Sequence, residues 1–148
     1  MTNTEYAWRS YIEATALLTA ELERRMKDRA NMDIGDFNVL LILNEAPQHS
    51  LRLGDLARAV AFGPTRLTYR LKRLEQRGWV KREPSPDDGR GASAVLTKKG
   101  LKTFHEATPG HSAFVRELLL DRLTPTQLTA LAEIFGPLRQ RLVAEATP

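Results

Sequence analysis

The chain has 148 residues, 42% hydrophobic and 27% charged, with no cysteine and a formal net charge of +4. That length supports one domain with a real core, and the missing cysteines exclude disulfides, thiolate zinc sites and thiol redox sensing. No apolar run approaches the roughly 20 residues of a membrane span, and the start, MTNTEYAWRS, lacks the basic and apolar stretches of a secretory signal, so a cytoplasmic location is expected.

Residues 5–29 place Trp8, Ile12, Thr15, Leu18, Leu22 and Met26 in steps of three and four, the stripe of an amphipathic helix. Tyr6, Tyr11, Ala14 and Leu17 widen this apolar surface, so the helix is expected to pack on more than its own domain. Residues 34–45 predict a nearly all-apolar helix, capped by Asp33 or Gly35 and stopped by Pro47. Leu51-Arg52-Leu53 is too short for an independent strand but can pair with a later one. Gly54 to Val60 predicts a short helix with Leu56, Ala57 and Val60 inward, and Ala61-Phe62-Gly63 a turn. Pro64 opens the next helix, which runs to about Arg77 and ends at Gly78.

Residues 79–83 and 92–96 alternate as strands, joined by a loop rich in Pro, Asp and Gly. Thr97 caps a helix from Lys98, which Pro109-Gly110 is expected to kink or break. Thr124 to Gln127 forms a capping box for a last helix carrying Leu128, Leu131, Ile134, Phe135, Leu138 and Leu142, with Gly136-Pro137 expected to bend it. The predicted fold is mainly α with a small β wing. It is a single domain over 1–148, with a winged helix-turn-helix at about 34–100 and terminal helices at about 5–29 and 101–148. Surplus apolar surface on those terminal helices predicts a homodimer.

Residues 63–102 hold eleven Lys and Arg against four acids, a surplus of seven in a chain whose total surplus is four. A basic middle between acidic flanks fits a local polyanion footprint, although charge alone also fits a solvated helix face. At about 100° per residue, Leu67, Leu71 and Leu74 turn inward. Thr65, Arg66, Tyr69, Lys72, Arg73 and Gln76 turn outward, with Thr68 and Arg70 on the flanks. Such a helix fits the major groove of double-stranded DNA. The expected contacts are Pro64, Thr65, Arg66, Thr68, Tyr69, Arg70, Lys72 and Arg73 from the helix and Arg90 from the wing tip. Arg66 is assigned to base edges, because its fork matches guanine N7 and O6. Lys72 and Arg73 are assigned to phosphate. Arg90, between Gly89 and Gly91, is assigned to backbone or minor groove, with Asp88 as a brace.

The segment resembles the MarR family of bacterial transcription regulators. The resemblance rests on Leu56-Ala57, on Leu74-Glu75 with Arg77-Gly78 and Val80, on Asp88 with Arg90, and on Leu96-Thr97 with Gly100. It implies a homodimer on a pseudo-palindromic operator, a repressor relieved by a small aromatic or anionic ligand. Two departures stand out. Tyr69 occupies a position where the family often has arginine, which here comes one residue later as Arg70. Gly89 and Gly91 replace bulkier wing residues.

His49, His105 and His111 match no metal-ligand spacing, and no catalytic constellation is present, so no metal, cofactor or enzyme activity is expected. Trp8, Arg9, Tyr11 and Phe37 admit two readings, the edge of a cleft for an aromatic carboxylate or a dimer core. Two other functions compete with specific regulation. An architectural binder is disfavoured by the mixed chemistry of Thr65, Arg66 and Tyr69, and a protein-interaction module by the basic segment.

Overall fold

The computed structural model describes residues 1–60, 64–85 and 90–145. Its elements run α1 (Asn3–Ala30), α2 (Ile34–Glu45), β1 (Ser50–Arg52), α3 (Leu53–Ala59), α4 (Pro64–Gln76), β2 (Val80–Pro84), β3 (Ala92–Leu96), α5 (Lys98–Leu118) and α6 (Pro125–Glu145). The order is the one expected. The turn at 61–63 and the wing tip at 86–89, with Asp88 and Gly89, lie outside the described residues.

The helix ends follow from local chemistry. Thr2 and Glu5 form a reciprocal capping box on α1, with the Glu5 N–H donating to Thr2 Oγ1 at 3.2 Å and the Thr2 N–H to Glu5 Oε2 at 2.7 Å. Of the two candidate caps for α2, Asp33 is the one used, accepting the Asp36 N–H at 2.7 Å. α4 closes at Gly78, whose φ of +74° is the left-handed region that favours glycine. There the Trp79 N–H reaches the Leu74 carbonyl at 3.0 Å and the Gly78 N–H reaches Glu75 at 2.9 Å, a Schellman closure. Thr124 and Gln127 cap α6 reciprocally at 2.9 and 3.2 Å.

The sheet is antiparallel in the order β1-β3-β2, with Val80 opposite Leu96 and Ser50 opposite Val95. The short segment around Leu51 does pair with a later strand. Leu40, Leu43, Leu56, Leu71 and Leu74 are fully buried where α2, α3 and α4 meet the sheet, and Met26 and Phe104 extend this core to α1 and α5.

The two proline pairs lie inside continuous helices. α5 runs as one helix through Pro109, and α6 as one helix through Pro137, so neither pair breaks its helix. A proline removes the bond to the carbonyl of the residue four back and crowds that carbonyl. In α5 that residue is the exposed His105, while the adjacent Thr108 hydroxyl donates to the Phe104 carbonyl at 2.7 Å. Gly110 also has a packing reason, since a Cβ there would sit 3.2 Å from Arg29 Nε of α1. Single 3-10 turns at Pro47–His49 and Leu120–Arg122 carried no sequence signal.

Burial along α1 is graded. Met26 is 1% exposed, whereas Trp8 is 64% exposed on the same stripe. No residue of α6 is buried, and Ile134 and Leu142 lie open. Tyr11 stacks on Phe135 with ring centroids 4.9 Å apart, joining the two exposed helices.

Candidate DNA-binding surface

α4 presents its residues much as its periodicity requires. Leu67, Leu71 and Leu74 are buried, while Arg66, Thr68, Tyr69, Lys72 and Gln76 are exposed. The side chains of Pro64 and Thr65 lie outside the described residues. Arg90 is exposed at the edge of the wing, six residues beyond the end of β2 and two before β3.

The sequence reading, which put Arg70 on a flank and Arg73 outward, missed that both turn toward α2, with Arg77 beside them. Asp33, the N-cap of α2, and Asp36, in its first turn, receive the guanidinium groups of α4. Arg70 Nη1 donates to Asp33 and, at 2.6 Å, to Asp36 Oδ1. Arg73 donates to the Oδ2 oxygens of both carboxylates at 3.3 Å each. Arg77 lies 4.0 Å from Asp36, donates to the Asn31 carbonyl at 2.8 Å and covers the Trp79 ring at 3.7 Å. Gly35 makes room for this cluster, because a Cβ there would meet the Arg70 guanidinium, 2.7 Å from Nη1. The steps of three and seven from Arg70 put all three arginines on one side of α4, and that side faces α2.

The electrostatics follow from depth. Burial pushes the Asp33 carboxyl up, but the Asp36 N–H and the Arg70 and Arg73 charges outweigh it and leave it below the usual carboxylate range. Asp36, with no exposed surface, is pushed up by burial and by the charge of Asp33, against the pull of the same arginines. Further cations of the basic segment are also matched, Arg82 by Glu75 through two contacts of 3.0 Å and Lys81 by Glu83. The surplus of seven therefore overstates the field α4 presents, because Asp33 and Asp36 come from outside the window. Their spacing of three, opposite arginines spaced by three and seven, was the available signal.

The four aromatic and cationic residues suggested as a cleft are not brought together within one protomer. Trp8 and Tyr11 lie 6.2 Å apart, and Arg9 is ion-paired to Glu13 at 2.6 Å, all on the exposed half of α1. Phe37 is in the core, stacked on His111 at 4.1 Å and near Phe104 at 5.4 Å. Met26, which shares that core, is roughly 27 Å along the helix from Trp8 at 1.5 Å per residue. A more enclosed crevice of about 270 Å³ lies between α1 and α5, lined by Met26, Arg29, Met32, Thr103 and Glu106 among others.

The histidines occupy ordinary structural positions. His49 Nδ1 donates to the Asn44 carbonyl at 3.1 Å, and burial against Phe37 lowers the pKa of His111. Among the described residues no three His, Asp or Glu are grouped to hold a metal, and no helix is long and apolar enough to cross a membrane.

Comparison with known proteins agrees with this architecture. Residues 33–91 match the model of the MarR family. The chain is 30% identical over 123 residues to the transcriptional repressor MprA of Escherichia coli strain K12, covering 82% of this chain and 69% of that one. AbsC, a MarR family transcriptional regulator from Streptomyces coelicolor, superposes with a TM-score of 0.88 at 35% identity, covering 96% of both chains. Sco3205, a MarR family regulator from the same organism solved in complex with DNA, superposes at 0.86 with 40% identity, covering 98% of this chain and 88% of that one.

Proposed function

The chain belongs to the MarR family, and on that premise we propose that it represses transcription as a homodimer, with α4 in the major groove of a pseudo-palindromic operator and the wing beside it. It is a sequence-specific DNA-binding regulator rather than an enzyme. The observation that carries the placement is the division of α4 into a buried leucine face and an exposed face of Arg66, Thr68, Tyr69 and Lys72. Tyr69 faces outward where the family often has arginine, and Arg70 is turned toward α2, so the base-reading role falls to Arg66 and Tyr69. Lys72 supplies phosphate contact, and Arg90 reaches backbone or minor groove.

Arg66→Ala is expected to cost on the order of 1–3 kcal/mol on the selected operator and much less on random duplex. Arg90→Ala should weaken both duplexes, lowering the salt slope by about one unit where its contact is phosphate. Equal losses on both duplexes for Arg66→Ala would show that Arg66 does not read bases.

The homodimer reading rests on the exposed apolar surface of α1 and α6, including Trp8 and Ile134. Sedimentation equilibrium at micromolar concentration should find a dimer. Ile134→Glu, a charge on a side chain 59% exposed in the protomer, should weaken association by more than about tenfold. A stable wild-type monomer would remove the dimer. Relief by a small anionic or aromatic ligand belongs to the same proposal, with the α1–α5 crevice and its Arg29 as the supporting feature. A cytoplasmic location accords with an operator as target.

A further inference from the structure

Arg70 and Arg73 share the same two carboxylates but are held differently. Arg70 is 23% exposed, seated over Gly35 and bound to Asp36 at 2.6 Å. Arg73 is 38% exposed and 3.3 Å from each carboxylate, longer than the roughly 2.7–2.9 Å of a strong charge-assisted bond. Its guanidinium lies 6.0 Å from the ring of Tyr69, which is itself 68% exposed on the outward face. Arg73 thus sits at the border between the acid pair and the surface that meets DNA.

We propose that Asp33 and Asp36 compete with DNA phosphate for Arg73, so that the acid pair at the start of α2 limits how many backbone charges α4 neutralises on random DNA. This rests on the placement of α4 against DNA given above. The two non-bridging oxygens of a phosphate offer the guanidinium a fork like that of a carboxylate. Transfer to phosphate leaves the acid pair without one of its cations, beside a polyanion. That cost falls on every duplex, but only the operator offers base contacts to offset it. The acid pair therefore lowers the backbone share of binding on both duplexes, and its effect is read most directly on random DNA, where that share is nearly the whole of binding.

The test is binding to a random duplex across a salt series. Asp33→Asn removes one charge and keeps a strong N-cap side chain, and Asp33→Ser is a second variant with the same logic should the first fold poorly. Circular dichroism checks that each is folded. The expected result is several-fold tighter random binding, with a salt slope steeper by about one unit, the effect of one added phosphate contact. Adding Arg73→Ala should return the slope to that of the wild type. An unchanged slope in the Asp33 variants overturns the proposal. So does a gain that persists without Arg73, which would mean only that a repulsive charge had been removed. Arg66→Ala on operator and random duplexes separates the two levels. If it alters neither, α4 does not face DNA and both readings fall; if it alters the operator while the Asp33 slope stays put, the proposal alone falls.

Discussion

Asp36→Ala should lower the unfolding free energy by about 3 kcal/mol and loosen α4 against α2. Asp36 has no exposed surface and takes Arg70 at 2.6 Å and Arg73 at 3.3 Å. Its carboxyl is pushed up by burial, so the ion pair itself is no large net gain over an apolar contact. Truncating one partner is a different matter, because it leaves guanidinium charge in a half-buried place with too few acceptors. Such losses run at about 3–5 kcal/mol, and the partial exposure of Arg70 sets the lower end. Two features identify the cause. The double variant Asp36→Ala/Arg70→Ala should cost clearly less than the sum of the single variants, since the second substitution removes the charge the first left unmatched. Operator affinity should fall with stability, because α4 is held at the right height on α2 by this cluster. Additive losses in chemical denaturation would mean that the two side chains act independently.

The contrast between what periodicity foretold and what it did not has a physical basis. The inward leucines of α4, the caps at Thr97 and Thr124 and the Schellman closure at Gly78 depend on neighbours within a few residues. Their chemistry is written locally. The pairing of β1 with β3 spans more than 40 residues, yet alternation and the shortness of the Leu51 segment left few other partners. The Asp33–Asp36 cluster is different. It joins side chains 34 to 40 positions apart, and an arginine on a helix flank looks the same in sequence whether it meets a carboxylate or a phosphate. The window of basic residues was drawn along the chain, while the compensating acids arrive through space. Where Trp8, Tyr11 and Phe37 sit within one protomer was hidden for the complementary reason. Aromatic residues on neighbouring helices were read as neighbours, but α1 is long enough to carry Trp8 far from the core that holds Phe37.

Gly100→Ala should destabilise the protein by at least about 3 kcal/mol, at the upper end of the overpacking range. Gly100 lies in the first turn of α5, where the helix leaves the wing. A Cβ there would meet the Trp79 carbonyl, with its carbon 2.8 Å away, and Leu96 Cδ1 at 2.8 Å. Leu96 can adjust its rotamer, but the Trp79 carbonyl cannot, because it accepts the Thr97 N–H at 3.0 Å. Thr97 is fixed in turn, donating its hydroxyl to Gly78 at 2.6 Å and accepting the Gly100 N–H at 3.0 Å. The end of α4, the start of β2 and the start of α5 are thereby tied at one point, and an added methyl must push α5 away from all of them. Since α5 leads on to the exposed α6, the displacement should also alter the geometry between the two copies of α4 in a dimer. Operator binding should then suffer beyond the loss expected from unfolding, while binding to a single half-site should suffer less. Denaturant titration gives the first quantity, and operator against half-site affinity gives the second. A cost below about 1 kcal/mol would mean that α5 can slide off the Trp79 carbonyl without strain, and that the wing and the terminal helices are not rigidly coupled here.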